Sequence, residues 1–313
     1  MTLASKPGGA TFHPGEIALQ VEAGVAERMA RLGAQMIRDH LPAQHRAFFE
    51  QLPFVVVGSL DEHAQPTASL LAAPPGFAWS PDPHTLRLEA RPLAGDPLAR
   101  NLRVGASLGL LGILPHLRRR NRANGSVLAL DAAGFTLGVQ QSFGNCPRFI
   151  HAREAFYVGT GSAKAAQALS ALGERERALV ASADTFFIAS AHPDAAAAGS
   201  SAQGVDVSHR GGPAGFALFS ADDTFLVPDY RGNNLFNTLG NLRLNPRAGL
   251  LFLDRTHGHV LQLEVSVDTV AGAHPHAGPE PSGRNVRFRI QRARFLPAAS
   301  PLSFGPEEDP EDD

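Results

Sequence analysis

Residues 226–254 read LVPDYRGNNLFNTLGNLRLNPRAGLLFLD, and this stretch decides the fold. A β-rich run enters it, and a Gly/Asn turn at 232–234 interrupts that run. A short helical segment follows and ends at the Asn-Pro pair of 245–246, after which residues 249–253 form a second strand. The helix therefore begins beside a sheet edge. Free backbone N–H groups and the helix dipole favour a phosphate at such a place.

Two side-chain faces run along this predicted helix. One is apolar, with a spacing of i, i+4 and i+7, and consists of Leu235, Leu239 and Leu242. The other lies one residue behind it, is neutral and polar, and consists of Asn234, Thr238 and Asn241. Because residues at these spacings share a helix face, the first face is predicted to pack on the core. The second offers amides and a hydroxyl to a ligand.

Two further segments flank this stretch in the chain. Residues 206–216 read DVSHRGGPAGF, and residues 245–252 read NPRAGLLF. In this order, the segments resemble the FMN-binding split-barrel family related to pyridoxamine 5'-phosphate oxidase. The resemblance extends over residues 12–300 and is most specific in 206–254. Family members often carry DRPGNxR where residues 229–235 of this chain read DYRGNNL, so one arginine is missing here.

The resemblance implies both a fold and a function. The fold would be mostly β with flanking helices, in two split β-barrel halves of the FMN-binding type. The function would be that of an FMN-binding flavoprotein, a flavin-dependent oxidoreductase with a small-molecule substrate and with a nicotinamide or oxygen as electron partner. A flavin- or haem-binding protein without turnover is the alternative. Split barrels of this family pair as dimers around the flavin, so a duplicated chain could form the pair within itself, and a homodimer of such chains stays open.

The chain carries a weak internal repeat. Residues 75–77 (PGF) match 214–216 (AGF), and Thr85 and Thr224 follow at the same offset. Residues 108–111 (LGLL) match 248–251 (AGLL), and we also align residues 124–128 (NGSVL) with 257–261 (HGHVL). A repeat of this length is too long for a solenoid and is typical of a duplicated domain.

The two copies differ where a phosphate would bind. Residues 232–239 read GNNLFNTL, whereas the corresponding residues 95–102 read GDPLARNL. Asp96 would repel a phosphate, and Pro97 lacks an N–H donor. We therefore predict one flavin site per chain, with the phosphate held by the second half.

The predicted cofactor residues divide into two groups. Arg210 follows a strand in a glycine-containing segment and offers a fork of donors to a phosphate. The phosphate group is predicted to contain Ser208, Arg210, Asn233, Asn237, Thr238 and Asn241. The second group lies in or next to the arginine-rich run 117–125 and is predicted to approach the flavin ring: Arg119, Asn121, Arg122 and Ser126. A solvated hairpin closed by Asn124-Gly125 is an equally weighted interpretation of this run, and nucleic-acid contact is a minor one. No catalytic residue is identified.

The sequence divides into five segments. Residues 1–52 are predicted to be an N-terminal helical segment, with one helix from Pro14 to about Ile37 and a second from 44 to 51. The first barrel half covers 53–160, a linking helix covers 161–183, and the second half covers 184–300 and carries the phosphate motif. Residues 301–313 are predicted to be a disordered acidic tail. His13 and Glu16 could face a ligand, although helix-terminus chemistry accounts for Glu16 without one.

Composition limits the function classes. The chain has 313 residues, of which 43% are hydrophobic, and 28 basic residues stand against 30 acidic ones. This balance does not favour nucleic acid as a partner. Cys146 is the only cysteine, so an internal disulfide and a cysteine-based metal site are excluded, and no metal is predicted. The sequence lacks an apolar run of membrane-spanning length and a signal-peptide pattern, and we therefore expect a cytoplasmic protein without a membrane partner.

Overall fold

The computed structural model describes residues 11–159, 164–197, 200–220, 223–276 and 281–308. The helices are α1 (Pro14–Glu22), α2 (Ala26–Met36), α3 (Ala43–Glu50), α4 (Leu98–Asn101), α5 (Glu174–Ser182) and α6 (Asn237–Leu244). The strands of the first half are β1 (Phe54–Leu60), β2 (Pro66–Ala72), β3 (Ala78–Trp79), β4 (Thr85–Leu88), β5 (Ser107–Leu114), β6 (Arg119–Leu130), β7 (Phe135–Gly144) and β8 (Ala155–Tyr157). The remaining strands are β9 (Gln167–Leu169), β10 (Thr185–Ala191), β11 (Val205–Gly211), β12 (Leu218–Phe219), β13 (Thr224–Tyr230), β14 (Arg247–Leu253), β15 (Val260–Ala271), β16 (Pro281–Leu296) and β17 (Leu302–Phe304).

Two antiparallel sheets with the same strand order form the body of the protein. The first runs β2-β1-β5-β6-β7-β4-β3, and the second runs β11-β10-β14-β15-β16-β13-β12, with β9 added to β16. Each sheet surrounds its own apolar core, and a third cluster, which includes Val56, Leu111, Phe187 and Leu251, joins the halves. The predicted fold class, mostly β with flanking helices in two β halves, is confirmed.

Two glycines show how closely the halves approach each other. A Cβ on Gly109 of β5 would lie 2.4 Å from the carbonyl oxygen of Val205, and one on Gly249 of β14 would lie 2.5 Å from that of Pro66. Both contacts cross from one half to the other. Because backbone oxygens cannot yield as side-chain ends do, only glycine fits at either place. The two positions, matched in the sequence, occupy equivalent places in the interface.

The strand registers correct one part of the predicted repeat. Gly109 pairs with Asn124, and Gly249 pairs with Glu264, so Asn124 corresponds to Glu264 in the fold. The alignment of residues 124–128 with 257–261 is therefore wrong. The wrong alignment arose because Asn124-Gly125 and His257-Gly258 both contain a glycine after a polar residue. Gly258, however, lies in the loop before β15 and not in a strand.

The arginine-rich run is a strand rather than a hairpin turn. Residues 119–130 form β6, and Asn124 and Gly125 pair with Gln141 and Val139 of β7 at a register shift. The turn between β6 and β7 lies instead at residues 131–134, where the Asp131 carboxylate accepts hydrogen bonds from the backbone of Ala133 and Gly134. In a strand, alternate side chains point to opposite faces, and this alternation divides the arginines.

Three helical or disordered segments also differ from the prediction. The first helix breaks into α1 and α2 at Gly24, whose φ is +68°, and Val21 is left 61% exposed. Of the predicted linking helix at 161–183, residues 161–163 lie outside the described residues. The described remainder is helical only in α5, because β9 precedes α5 and pairs with β16. The acidic end is ordered as far as the description extends: β17 pairs with β8, and Glu307 contacts Arg153. Residues 309–313 lie outside the described residues. Within the described chain, no helix combines the length and apolar character needed to cross a membrane.

Candidate functional site

A cavity of about 660 Å³ lies where β6 of the first half meets β11, β13 and α6 of the second. Its volume is typical of a site for a cofactor or small ligand. One wall comes from β6 and another from α6, and the cavity is enclosed only when both are present. The site therefore depends on the contact between the halves.

The inner wall carries two arginines from one face of β6. Arg120 and Arg122 line the cavity, while Arg119 lies on the other face, with its guanidinium 5.4 Å from the centre of the Phe48 ring. Asn121, also on that other face, is buried and does not line the cavity. Strand alternation thus sends two of these four side chains to the cavity and two away from it.

Arg122 joins the two halves at the base of the cavity. Its guanidinium donates to the Ser208 hydroxyl, to Asn237 Oδ1 at 2.8 Å and to Asp206 Oδ1 at 3.3 Å. The side chain is 5% exposed, and Asp206 is held further by Asn124 and by Asn241. Burial lowers the pKa of Arg122, and the carboxylate of Asp206 raises it. This geometry places a desolvated positive charge directly beside a serine hydroxyl.

Arg120 has no acidic partner among the described residues. Its Nε donates to the carbonyl of Cys146, and its Nη1 donates to Nδ1 of His209 at 3.1 Å. Burial, together with the charges of Arg122 and Arg210, lowers the pKa of Arg120 to about 10. Burying a charge without a counter-charge is costly. An anion in the cavity would supply the missing charge.

The start of α6 forms the wall opposite Arg122. Asn237 and Thr238, its first residues, both line the cavity, and the Thr238 hydroxyl hydrogen-bonds that of Ser208 at 2.6 Å. Leu239 and Leu242 are buried in the second core, as the apolar face predicts. Leu235 is also buried, but it precedes the helix and packs with Phe12. The apolar face thus fixes α6 so that its first hydroxyl and amide point at the cavity.

A buried carboxyl lies behind Asn237. Glu16 Oε1 accepts from Asn237 Nδ2 at 2.6 Å, and Glu16 Oε2 accepts from the backbone N–H of His13 as part of the cap of α1. Burial raises the pKa of Glu16 to about 8, and Asp206 contributes in the same direction. Glu16 does not line the cavity and acts on it only through Asn237. The helix-terminus interpretation of Glu16 agrees with this cap, in which His13 also takes part.

The outer wall is also rich in arginine. Arg210 and Arg284 share the carboxylate of Asp229, at 3.5 and 3.1 Å, and Arg148 and Arg231 lie at the exposed rim. Two rings, Phe149 and Tyr230, stack there with centroids 4.5 Å apart. The cavity therefore carries arginines on its inner and outer walls, with Asp229 and Glu22 as the acids in its lining, and it has an aromatic surface.

The structure brings together only part of the predicted site. Five of the six predicted phosphate residues line the cavity, with one ring-group residue beside them: Ser208, Arg210, Asn233, Asn237, Thr238 and Arg122. Asn241 lies behind them, where it donates to Asp206 and Ser190. Arg119, Asn121 and Ser126 do not line the cavity, and Arg122 contacts the predicted phosphate group directly.

Several lining residues were missed in the sequence. Arg120 was hidden because the run was interpreted as a turn, whereas a strand would have put it on the same face as Arg122. Asp229 in the lining and Asp206 behind it stand in the quoted motif segments, but their roles as buried counter-charges were not predicted. Arg148, Phe149 and Tyr230 come from separate segments, which only the tertiary fold brings together.

Comparisons with known proteins give matches to solved structures only. No family model matches the chain, and no curated protein matches it. Similar structures include a putative pyridoxamine 5'-phosphate oxidase from Lactobacillus delbrueckii (11% identity, 39% of this chain and 93% of that one, TM-score 0.30). An FAD-binding protein from Mesorhizobium loti is also similar, with 12% identity over 42% of this chain and 97% of that one and a TM-score of 0.27. The heme storage protein HutZ from Vibrio cholerae is similar with 10% identity over 42% of this chain and 97% of that one and a TM-score of 0.29. Proteins of the class that the sequence motifs resemble are thus among the matches.

Proposed function

We propose that the cavity binds FMN and that the protein is a flavin-dependent oxidoreductase. The observation that carries the proposal is the convergence of Arg120, Arg122 and Arg210 on one cavity, with a serine and a threonine hydroxyl between them. Arg120 is half-buried and has no acidic partner in the part of the chain that the structure describes, which favours a ligand that brings its own negative charge. The motif resemblance supports a flavin mononucleotide as that ligand. The bound flavin would supply the electron transfer.

The protein residues would then hold and orient the cofactor. Ser208, Thr238 and Arg122 would bind the phosphate at the base, because hydroxyl and guanidinium donors surround that point on three sides. Arg120 lies next to them and would add charge without a direct role in proton transfer. Phe149 and Tyr230 near the mouth would contact the planar end of the ligand. We further propose that the two halves descend from a duplicated domain and that the protein works in the cytoplasm.

The cofactor is tested on purified protein. We expect a yellow protein that releases FMN on denaturation, identified by chromatography against FMN, FAD and riboflavin standards. Inorganic phosphate should compete with FMN, because the base of the cavity recognises the phosphate. A Soret band without flavin absorbance would overturn the proposal in favour of haem.

Turnover is tested separately from binding. We expect NADH or NADPH to bleach the bound flavin and air to restore it, at rates above those of free FMN. A flavin that is reduced by light but is inert to both nicotinamides and to oxygen would contradict the oxidoreductase half of the proposal. The protein would then be a flavin carrier.

A further inference from the structure

The internal repeat gives the cavity beside α6 a counterpart beside α4. A second cavity of about 700 Å³ lies there, and Thr67, Pro97, Asn101 and Gln262 contribute to its lining. The strand registers identify the equivalent residues. Leu111 pairs with Arg122 as Leu251 pairs with Gln262, and Val57 pairs with Ser69 as Ile188 pairs with Ser208. Gln262 therefore takes the place of Arg122, and Ser69 takes the place of Ser208.

The hydrogen bonds confirm this equivalence at α4 and α6. Asn101 at the end of α4 donates to the hydroxyl of Ser59 at 2.9 Å, and Asn241 in α6 donates to that of Ser190 at 3.2 Å. The serines lie on β1 and β10, each the second strand from the edge of its sheet. The two helices are thus attached to their sheets in the same way, although α4 is much shorter.

The equivalence of Asn101 with Asn241 corrects the sequence alignment of 95–102 with 232–239, because it places Asp96 at the position of Phe236 instead of Asn233. Asp96 therefore has no polar counterpart in the first site. The carboxylate of Asp96 accepts from Ser69 Oγ at 2.6 Å, from the backbone N–H of Leu98 at 2.8 Å and from Gln262 Nε2 at 2.8 Å. These donors come from both halves of the chain, and Asp96 is 3% exposed. Three donors on a buried carboxylate form the kind of shell that proteins build around a bound oxyanion.

We propose that the site beside α4 is a second oxyanion site, occupied by the chain's own Asp96 carboxylate. The serine and the residue from the opposite half, which at α6 face an open cavity, here close on an internal anion. Gln262 replaces Arg122 because a single carboxylate, already bonded to a hydroxyl and a backbone N–H, needs no guanidinium. The site therefore takes no external phosphate while Asp96 is present. When the carboxylate is removed, the same donors accept a small oxyanion such as formate or phosphate.

The neighbourhood of Asp96 fits this assignment. Burial raises the pKa of Asp96 to about 6, and its hydrogen bonds and the charge of Arg294 act in the opposite direction. Oε1 of Gln262 is buried and lacks a hydrogen-bond partner among the described residues. Its Nε2 also donates to the carbonyl of Ala68 at 2.9 Å, which holds the amide in this orientation. Asp96→Asn keeps a side-chain oxygen that can accept from Ser69 and Leu98 and fills the same space, which makes it the control.

Chemical rescue tests the proposal. Asp96→Ala removes the carboxylate and leaves the three donors, so its thermal midpoint should fall and should then rise by several degrees in sodium formate or phosphate compared with sodium chloride at equal ionic strength. In formate, wild type and Asp96→Asn, whose sites beside α4 are filled, should show no such difference. In phosphate, all three proteins share any stabilisation that comes from the α6 cavity, and only Asp96→Ala should exceed it. If Asp96→Ala does not fold in chloride, its refolding yield in formate against chloride gives the same answer.

The outcomes separate this proposal from the flavin proposal. Rescue of Asp96→Ala alone supports the second site, whatever cofactor the cavity beside α6 holds. Equal effects of formate on all three proteins, or no effect on Asp96→Ala in either midpoint or yield, would overturn it. Flavin content of the purified proteins, measured in parallel, reports on the α6 cavity by itself.

Discussion

At the cavity beside α6, the first half contributes Arg122, and at the cavity beside α4, the second half contributes Gln262. The residues around the two positions also differ in charge. Arg122 meets a serine, an open space and the carboxylate of Asp206, which does not line the cavity. Gln262 meets a serine and the carboxylate of Asp96, which accepts a hydrogen bond from that same serine. The same fold can thus form either a ligand site or a set of hydrogen bonds that joins its two halves. The choice depends on whether the chain supplies its own anion.

Arg122→Gln makes the two sites alike at this position and should have the largest effect. It removes a buried guanidinium that contacts Ser208, Asn237 and Asp206. We expect FMN affinity to fall by about 3–4 kcal/mol, or roughly a hundred- to a thousand-fold in dissociation constant, as measured by flavin fluorescence titration. Arg119→Gln is the matched control, because Arg119 lies on the opposite face of β6 and outside the cavity. Unchanged affinity in Arg122→Gln would contradict our placement of the phosphate.

The interface glycines test whether the halves are equivalent away from the ligand. Gly109→Ala and Gly249→Ala each force a Cβ to within about 2.5 Å of a carbonyl oxygen in the opposite half. Overpacking of this kind costs about 1–3 kcal/mol, so we expect similar losses of unfolding free energy in urea for both variants. Gly76→Ala is not a suitable control because its φ is +96°, whereas Gly232→Ala has open space and no positive φ. A large loss in only one of the two would show that the halves pack differently.

Much of the fold could be predicted from the sequence, because local patterns determine it. The alternating and apolar strands, the turn chemistry and the repeated LGLL and AGLL segments lead to two β halves. The apolar face of α6 was also predicted, since Leu239 and Leu242 are buried. The failures occurred where tertiary pairing overrides local signals. Asn124-Gly125 has a strong turn signal, yet β5 and β7 pair on either side of it and keep it in a strand.

The site was only partly predictable for a related reason. Ser208, Arg210 and Thr238 lie in recognisable motifs, whereas Arg120 and Asp206 acquire their roles from partners more than eighty residues away, such as His209 and Arg122. Asp96 was predicted to repel a phosphate. The structure places its carboxylate on three donors, and a sequence cannot show whether an acid faces empty space or a shell of N–H and O–H groups.

A buried acid at each site allows pH to tell them apart. The folded pKa of Glu16 is about 8 against 4.5 unfolded, and that of Asp96 is about 6 against 3.8. Because both acids bind protons more tightly when folded, each contribution to stability is lost as pH rises from the unfolded to the folded pKa. Between pH 6.5 and 8, Glu16 should therefore cause most of the change in unfolding free energy that comes from these two acids. Its contribution should fall by up to about 1.4 kcal/mol per pH unit.

Matched variants isolate the two contributions. Urea unfolding of flavin-free protein should show a decline in stability from pH 6.5 to 8 that Glu16→Gln flattens and Asp96→Asn leaves in place. Histidines such as His13, whose pKa burial lowers to about 4, act in the opposite direction but mostly below pH 6.5. A decline that persists in Glu16→Gln would mean that Glu16 is already ionised in the folded protein.

Arg210→Ala should have the smallest effect, although Arg210 belongs to the clearest sequence motif of the site. Its guanidinium is 25% exposed and shares Asp229 with Arg284, so solvent and a carboxylate already satisfy part of its charge. We expect a loss of about 1 kcal/mol in FMN binding, roughly five- to ten-fold, which shrinks at high salt because an exposed charge is screened. Arg289→Ala, on β16 and outside the cavity, is the control and should change nothing. The contrast with Arg122 is the informative result. If Arg210→Ala were as damaging as Arg122→Gln, the anion would lie nearer the outer wall, and the equivalence between the phosphate and the Asp96 carboxylate would no longer hold.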